Sequence, residues 1–379
     1  MTTSPPTPKK TYTAAIIGTG RPKGQEGSTG AAISRHHAYA YRANQCEMVA
    51  LADIRAENAE AFREEQGFSN ARIYTDYEAM LREAKPDVVS ICTWPHLHAE
   101  MVIACAAAGI RAVHCEKPMA PTFGEARRMH EAAARAGMQL TFNHQRRFEE
   151  PYVTCKRLID EAAVGQLIQM QAACPNLYDW GTHWFDMLFF YNGDVPAHWV
   201  MGQVHVEAGR AVFGVRLEDQ GMSYVGYQNG VRGMLITGDF VSDPALPSGP
   251  AGRRSVLGAA QRIIGTEGMI EVAAPGSRLR LLNAASVGWT EVPVKDHARG
   301  IDNAVTAAIA DKLRCLETGA EPLLSSHKAI RTTELIFGTY ESARRRARVD
   351  FPLQIDDNPL HALLDAGEID PKSPPEEKS

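Results

Sequence analysis

Short apolar runs alternate with amphipathic segments over the first 140 residues of the chain. Each run has the length and composition of a buried β-strand: Thr13–Ile17, Met48–Ala52, Val88–Cys92, Ala112–Cys115 and Gln139–Phe142. The segments between them predict helices over Ala31–Ala43, Ile54–Gln66, Tyr77–Ala84, His98–Ala108 and Phe123–Ala136. Strands and helices in alternation predict a parallel sheet with right-handed crossovers, and therefore an α/β fold class.

Polar residues or glycine follow four of these runs directly. They are Gly18, Asp53, Thr93 and the pair Glu116-Lys117. Because open α/β sheets bind ligands outside the carboxyl ends of their strands, we expect these residues to converge on one site.

The pattern changes after about residue 142, where strands begin to dominate. The predicted elements are a helix over Glu149–Ala162, strands over Met222–Gln228 and Val231–Thr237, a strand–turn–strand unit over Ile263–Val272, and helices over Asn303–Glu317 and Ser326–Arg345. Asn229-Gly230, between the first two strands, is typical of a type I′ hairpin turn. These elements predict an α+β domain with a large, mostly antiparallel sheet. We expect one face of that sheet to pack on helices and the other to be available for an oligomer interface.

A chain of 379 residues favours two domains. We predict a disordered tail over residues 1–10, a nucleotide-binding domain over 11–141, a substrate-binding and oligomerisation domain over 142–355, and a C-terminal tail over 356–379. Its last stretch, from Pro371, is rich in Pro, Lys and Glu and is expected to be disordered.

Composition excludes several classes of partner and location. The net charge is −5, which argues against a general affinity for nucleic acid or an anionic membrane surface. No apolar run approaches the roughly 20 residues that span a bilayer, and the N-terminus lacks the apolar core of a signal peptide. Seven scattered cysteines without a Cys-x-x-Cys pair indicate reduced thiols, so we predict a cytoplasmic protein without a metal site.

Gly18 and Gly20 match the first two glycines of a dinucleotide-binding turn, but Lys23 stands where the third should fall. An insertion over residues 21–30 delays the helix; with that segment looped out, Ser34 occupies the third position. The same correction brings Asp53 to the spacing of the acidic residue that binds the adenosine ribose. A carboxylate there repels a 2′-phosphate, so NAD is predicted rather than NADP.

Two further groups of residues carry candidate chemistry. Lys117, at the end of a strand, can reach a bound cofactor and a substrate together. Asp179 and His183 are four residues apart and share one face if they lie on a helix. A His beside a carboxylate suits proton transfer near neutral pH, although on spacing alone a structural pair explains it equally well.

The sequence resembles the glucose-fructose oxidoreductase/inositol dehydrogenase (Gfo/Idh/MocA) family from Ile16 to about Leu353. The segments that carry the resemblance are Glu116-Lys117-Pro118, the motif Asp179, His183 and Asp186, the loop Ile91-Cys92-Thr93 with Pro95 and His98, Gly265–Gly268, and Glu341–Arg344 with Arg348-Val349. The resemblance implies a Rossmann dinucleotide-binding domain followed by a sheet-rich α+β domain. It also implies NAD as cofactor, a homodimer or homotetramer, and an active site in the cleft between the domains.

Roles follow from the resemblance residue by residue. Lys117 would contact the reacting hydroxyl and the nicotinamide ribose and relay protons. His183 would be the general base, and Asp179 would hold the substrate or orient His183. Glu116 would fix its loop, and Pro118 would follow a cis peptide bond. Gly18, Gly20, Asp53, Thr93, Pro95 and His98 would join Glu116 and Lys117 in binding the cofactor.

Weaker candidates flank these motifs. His144 and Arg147 follow the fifth strand and could contact substrate, and Tyr178 and Trp180 could stack on a sugar. The pair His36-His37 is interpreted as helical and not as a metal site.

We therefore predict an NAD-dependent oxidoreductase that acts on a secondary hydroxyl of a sugar, cyclitol or related polyol. The alternative is an NAD-dependent glycoside hydrolase, which oxidises its substrate transiently, eliminates the aglycone, adds water and reduces the ketone again. The basic residues Arg21, Lys23, Arg146 and Arg147 make an anionic glycoside, such as a uronide or a sulfoquinovoside, a possible substrate of such an enzyme. A non-catalytic sensor is disfavoured because Lys117 and His183 are both present.

Overall fold

The computed structural model describes residues 11–22, 31–238, 259–274, 277–294 and 300–369. The predicted tail over residues 1–10, Lys23 with the rest of the insertion up to residue 30, and residues 370–379 lie outside the described residues. Two large sheets organise the described part of the chain.

The first sheet has six parallel strands in the order β3-β2-β1-β4-β5-β6. Their bounds are β1 (Thr13–Ile17), β2 (Glu47–Ala52), β3 (Arg72–Tyr74), β4 (Val88–Ile91), β5 (Ala112–Cys115) and β6 (Gln139–Phe142). This order is that of a Rossmann sheet, which confirms the predicted fold class. The sequence pattern missed β3, a three-residue edge strand without a fully buried residue.

Five helices connect these strands: α1 (Ala31–Ala43), α2 (Ala56–Gln66), α3 (Tyr77–Ala84), α4 (Pro95–Ala107) and α5 (Phe123–Ala136). Helix α5 begins where predicted because the Thr122 hydroxyl accepts a hydrogen bond from the Glu125 amide (3.2 Å). Helix α4 begins three residues earlier than predicted, at Pro95, since proline is well suited to the first helical position.

The second sheet has nine strands in the order β16-β15-β14-β13-β7-β12-β11-β8-β17, and a two-stranded β9–β10 ribbon stands apart. The strands are β7 (Leu167–Cys174), β8 (Ala197–His205), β9 (Ala211–Val212), β10 (Val215–Arg216), β11 (Gln220–Tyr227), β12 (Arg232–Gly238), β13 (Gln261–Gly265), β14 (Gly268–Ala274), β15 (Ser277–Asn283), β16 (Thr290–Glu291) and β17 (Val349–Asp350). The helices of this half are a 3₁₀ turn (Gln145–Phe148), α6 (Glu150–Asp160), α7 (Gly181–Tyr191), α8 (Gly300–Thr318), α9 (Ser326–Arg345) and α10 (Pro359–Asp365). All pairs in the nine-stranded sheet are antiparallel except β7 with β12, so the predicted mostly antiparallel sheet is confirmed.

The turn between β11 and β12 differs from the predicted type I′. Gly230 has φ +88°, but Asn229 is not among the described residues with positive φ. The Gly230 amide donates to the Tyr227 carbonyl (3.0 Å), and the Tyr227 amide donates to the Val231 carbonyl (3.0 Å). A turn closed in this way, followed by glycine in the left-handed region, is the three-residue hairpin loop with a bulge.

Helix α8 does not close the second domain as the sequence suggested. Its apolar residues Val305, Ile309 and Leu313 share a buried cluster with Ile16 and Tyr41 of the Rossmann domain. The chain thus returns to the first domain and covers one face of its sheet with α8. An amphipathic pattern predicts a helix but does not identify the surface that covers it, which explains the error.

The segment after residue 355 is folded and is not a tail up to residue 369. Leu360 and Leu363 of α10 are buried. The Asn358 amide side chain donates to the Pro121 carbonyl (3.0 Å), and the Gly124 amide donates to the Asp356 carbonyl (3.0 Å). This segment therefore contacts the first domain at the beginning of α5.

Candidate active site

The strand ends of the Rossmann sheet converge as predicted. Gly18 donates its amide to the Ala52 carbonyl at the end of β2 (2.8 Å). Gly18 has φ +86°, and a Cβ at this position would lie 2.8 Å from Thr93 Cγ2 and 3.0 Å from the Cys92 carbonyl oxygen. Only glycine fits where the turn passes this close to Cys92 and Thr93, so no side chain projects from the backbone at this position.

Asp53 fixes the path of the glycine turn. Its Oδ2 accepts hydrogen bonds from the Thr19 amide (3.1 Å), the Thr19 hydroxyl (3.0 Å) and the Gly20 amide (3.1 Å). The Ser34 hydroxyl on α1 donates to the Thr19 carbonyl (2.8 Å). Ser34 is buried in the place expected of the third glycine, which supports the looped-out account of the insertion.

Lys117 and Asp179 meet across the two domains. The Lys117 ammonium donates to Asp179 Oδ1 at 2.6 Å, and the peptide bond between Lys117 and Pro118 is cis. The two side chains are 20% and 14% exposed, so the ion pair lies in a cleft that a small molecule can reach. The sequence predicted both residues but not that they form a direct pair.

Glu116 is buried directly beside this pair. Its Oε1 accepts hydrogen bonds from His37 Nε2 (2.8 Å) and the Asn143 side chain (2.7 Å), and its Oε2 accepts the Lys117 amide (3.3 Å). Burial alone would raise the pKa of Glu116, but the hydrogen bonds from His37 and Asn143 and the nearby Lys117 charge outweigh it and lower that pKa. Glu116 is therefore an anion that binds the backbone of the Lys117 loop.

His98 connects the Thr93 loop with the loop after β5. It is fully buried, with Nε2 3.0 Å from the Thr93 carbonyl and Nδ1 3.0 Å from the Pro118 carbonyl. Pro95 is buried as well. His98 and Pro95 thus lie behind the surface that Gly18 and Thr93 form, where they would support a cofactor site by shaping its loops.

The segment that carries Asp179 is held from two sides. Asn176 Oδ1 accepts the Asp179 amide at 2.7 Å. The Leu177 amide donates to buried Glu218 Oε1 (2.5 Å), and the Tyr340 hydroxyl donates to Glu218 Oε2 (2.7 Å). Burial raises the pKa of Glu218 despite these bonds. Glu218 is therefore an anchor for the loop that delivers Asp179.

His183 is a neutral imidazole in the first turn of α7. Burial lowers the pKa of His183 well below its ordinary value of 6.5, and the charges of Lys117 and Arg146 lower it further. Its Nδ1 is buried and has no hydrogen-bond partner among the described residues. A neutral imidazole, unlike an imidazolium, is able to accept a proton.

Other predicted residues have partners within the protein. Arg147 is buried and makes paired hydrogen bonds to Asp186 (2.8 and 2.9 Å) and to Asp194 (3.0 and 2.8 Å). His144 Nε2 lies 3.0 Å from the Thr182 hydroxyl, and the His144 ring stands edge-on to the His183 ring, with ring centres 5.9 Å apart. The donors of Arg147 are occupied, so it holds α7 in place and is not available to a substrate.

The two aromatic candidates beside Asp179 differ in access. The Tyr178 ring is 1% exposed, so it cannot offer a face to a sugar. Trp180 is partly exposed and lies 5.8 Å from the Arg146 guanidinium. Trp180 is the better placed of the two for stacking.

Three buried residues that the sequence analysis did not assign to the site organise it: His37, Asn143 and Glu218. Each binds a residue that is distant in sequence, which no spacing rule detects. His37 left a weak signal, since a polar residue interrupts the buried face of α1.

The fold and this arrangement define a dinucleotide-dependent dehydrogenase. The cleft has four features that fit NAD. They are the crowded glycine turn, an acidic residue after β2, an ammonium and a neutral imidazole. Gly18, Gly20, Asp53, Thr93 and the Glu116-Lys117 loop would hold it. When bound, NAD supplies a hydride acceptor.

Comparison with known families agrees with this class of protein. Residues 13–144 match the family model of the Gfo/Idh/MocA oxidoreductases described as an NAD-binding Rossmann fold, and residues 152–351 match its C-terminal alpha/beta domain. The chain belongs to the Gfo/Idh/MocA family, which confirms the resemblance and the prediction of NAD as the cofactor.

Individual relatives are more distant. A D-apiose dehydrogenase of Paraburkholderia graminis is 26% identical over 84% of this chain and 87% of its own length. An inositol 2-dehydrogenase of Paracoccus denitrificans is 34% identical over 44% of this chain, so this chain spans less than half (46%) of that enzyme. The structure of a levoglucosan dehydrogenase with NADH and levoglucosan has a TM-score of 0.74 at 21% identity, covering 91% of this chain and 100% of the other.

Within the ranges that the structure describes, no helix has the length and hydropathy to cross a bilayer. The same ranges contain no group of three or more His, Cys, Asp or Glu side chains arranged to bind a metal ion.

The first prediction concerns the glycine turn. Replacing Gly18 with Ala should weaken NAD binding by more than about tenfold, because the added Cβ meets Thr93 and the left-handed backbone disfavours alanine. Isothermal titration with NAD measures the affinity. Gly300→Ala is the matched control, since nothing lies within 4 Å of its Cβ position. An unchanged NAD affinity in Gly18→Ala would contradict a role of the glycine turn in binding NAD.

The second prediction concerns pH. Activity requires neutral His183 and is lost as pH falls through the pKa of that group, which lies well below 6.5. The acid limb of kcat/KM should therefore lie on the acid side of pH 6.5. Arg146→Met removes a nearby positive charge, so it should raise that pKa and move the limb upward. A limb that stays in place in this variant would exclude His183 as the titrating group.

Proposed function

We propose that this protein oxidises a secondary hydroxyl of a sugar, cyclitol or related polyol with NAD. The observation that carries the proposal is the 2.6 Å pair between Lys117 and Asp179, with neutral His183 nearby. Asp179 lies in the turn before α7 and His183 in the first turn of α7, so the two do not share one helix face as the spacing suggested. One member comes from the nucleotide-binding domain and the other from the sheet-rich domain. A substrate between the domains would therefore contact both.

Each side chain has a distinct role in this reaction. His183 accepts the hydroxyl proton as the carbon is oxidised. The Lys117 ammonium stabilises the negative charge that develops on the oxygen. Asp179 holds that ammonium toward the cleft, and Glu116 keeps the Lys117 backbone in place.

The substrate class is supported by the relatives, whose names are those of sugar and polyol dehydrogenases, a D-glucoside 3-dehydrogenase of Escherichia coli among them. These dehydrogenases give the glycoside hydrolase alternative no specific support. The cleft itself does not separate the two reactions, because Lys117, Asp179 and His183 would serve either one.

The third prediction tests the reaction. Lys117→Ala should reduce NADH formation by about 10²-fold or more, because the oxyanion loses its stabilising charge, while NAD affinity changes only a few-fold. Absorbance of NADH is followed over a panel of sugars, cyclitols and polyols, and NAD affinity is measured by calorimetry.

Lys156→Ala is the matched control, since Lys156 pairs with Asp160 on the surface of α6. Undiminished turnover in Lys117→Ala would overturn the assignment. Release of aglycone from aryl glycosides without NADH accumulation would favour the hydrolase instead.

We further propose a homodimer or homotetramer built on the open face of the nine-stranded sheet. Met201 and Met222 are 49% and 51% exposed, and Tyr224 is 37% exposed. The register places Met201 beside Tyr224, and Tyr224 beside Met234, so the residues form one apolar patch. Contiguous patches of this kind on soluble proteins mark interaction sites.

The fourth prediction tests this interface by light scattering after size-exclusion chromatography. The protein should have a mass that is a multiple of 41.5 kDa, and Tyr224→Glu should lower it toward a single chain because the charge disrupts the apolar patch. Val287→Glu changes an exposed apolar residue away from the patch and should not alter the mass. A wild-type monomer at micromolar concentration would exclude the interface.

A cytoplasmic location is consistent with seven cysteines that are all free thiols. Fractionation of the source cells would test it.

A further inference from the structure

A chain of hydrogen bonds crosses the nucleotide-binding domain from Lys312 on α8 to Glu116. The Lys312 ammonium donates to the Tyr41 hydroxyl (3.1 Å), which lies 2.8 Å from Ser90 Oγ. Ser90 Oγ lies 2.8 Å from His37 Nδ1, and His37 Nε2 lies 2.8 Å from Glu116 Oε1. Unbroken contacts therefore connect a lysine late in the chain with the residue beside catalytic Lys117.

The chain is sealed from solvent. Lys312, Tyr41, Ser90 and His37 are fully buried, and Glu116 is 6% exposed. A proton that reaches the middle of this chain must therefore travel along its members and not through bulk water.

Lys312 is an unusual residue to bury. It forms no ion pair with a described residue, and its ammonium rests on the hydroxyl and ring of Tyr41. The titratable and charged groups around it are Tyr41, Cys46, Cys92 and His114 on neighbouring elements, and on α8 itself Asp311 and Arg314, which pair with each other. Burial lowers the pKa of Lys312 to about 7, so it changes charge near neutral pH.

The two ends of the chain fix the direction of its hydrogen bonds. The Glu116 carboxylate only accepts, so His37 Nε2 carries a proton and donates it. In a neutral His37, Nδ1 then accepts from the Ser90 hydroxyl, and Ser90 accepts from Tyr41. The Tyr41 oxygen accepts from the Lys312 ammonium, so every bond points from Lys312 toward Glu116.

A second arrangement has the same number of protons. Lys312 gives one proton to Tyr41, Tyr41 gives its own to Ser90, and Ser90 gives its own to His37 Nδ1. Lys312 is then a neutral amine, and His37 is an imidazolium paired with the Glu116 carboxylate. Three N–H or O–H bonds break and three form, and one positive charge moves from α8 to the edge of the active site.

We propose that Lys312, Tyr41, Ser90 and His37 form a buried proton relay that moves a positive charge toward Glu116 during the oxidation. This rests on the proposed function. With an imidazolium at His37, the Glu116 charge is compensated, and the field of the Lys117 ammonium acts more fully on the reacting oxygen. The relay residues are positioning residues, since none of them touches the substrate.

The fifth prediction compares pH profiles. The relay holds its extra proton below about pH 7, so the wild-type advantage in kcat/KM over Lys312→Met should be on the order of tenfold at about pH 6 and vanish by about pH 9. Tyr41→Phe breaks the relay and should lose the same advantage. The double variant should be no worse than either single variant, because both remove one pathway.

Thermal unfolding separates this role from a structural one. Lys312→Met should raise Tm by several degrees at neutral pH, since it removes a buried charge, while losing the activity advantage. Tyr227→Phe is the matched control because its buried hydroxyl has no partner among the described residues, and it should leave the pH profile unchanged. Additive losses in the double variant, or a wild-type profile in Tyr41→Phe, would overturn the relay.

A readout without turnover keeps the relay separable from the proposed reaction. In protein labelled with ¹⁵N histidine, the His37 ring resonances, assigned with His37→Gln, should show a proton on Nε2 and change as Lys312 titrates. Tyr41→Phe should abolish that change, and Tyr227→Phe should not. A His37 signal that ignores the titration in the wild type disproves the relay even if sugar oxidation is confirmed. A coupled signal supports the relay even if the panel of sugars fails.

Discussion

The ion pair between Lys117 and Asp179 is the interaction on which the site depends. It joins the loop after a Rossmann strand to the turn before α7 in the second domain, with 2.6 Å between the two charged atoms. Fixing a lysine side chain in one position costs considerable conformational entropy, so the pair needs support from its surroundings. The surrounding polar residues supply that support: Glu116 binds the Lys117 backbone, and Asn176 binds the Asp179 backbone. The cleft is thus pre-organised before any ligand arrives.

Charge is distributed so that one group in this cleft stays neutral. Lys117 and Arg146 both disfavour a proton on His183, and burial does so more strongly. The nearby carboxylate of Asp186 does not oppose this effect, since Arg147 binds it through two short hydrogen bonds. In a medium of low dielectric constant, such pairing decides which group remains a base. Arg147 therefore compensates the Asp186 charge within the protein.

Sequence patterns predicted the site residues whose positions depend on local structure, but not those whose partners are distant in sequence. Gly18, Asp53 and Lys117 stand directly after buried strands, so local pattern and the geometry of parallel sheets were enough to bring them together. Residues whose role depends on distant partners escaped detection: His37 binds a residue 79 positions away, and Glu218 binds one 41 positions away. The assignment of α8 failed for the same reason, because an amphipathic face predicts burial but not the surface that buries it. The predicted type of the turn at Asn229-Gly230 was wrong for a local reason, because two hairpin loop geometries favour the same residues.

The return of α8 to the first domain has a consequence for the electrostatics of the cleft. It carries Lys312 into a core where the apolar residues Val305, Ile309 and Leu313 surround a buried chain of polar side chains. An unpaired buried ammonium opposes folding, and a methionine of similar length would pack there without that cost. Its hydrogen bond to Tyr41 begins a path that ends at the carboxylate beside Lys117. A destabilising residue connected in this way to the active site is best understood as serving the reaction and not the fold.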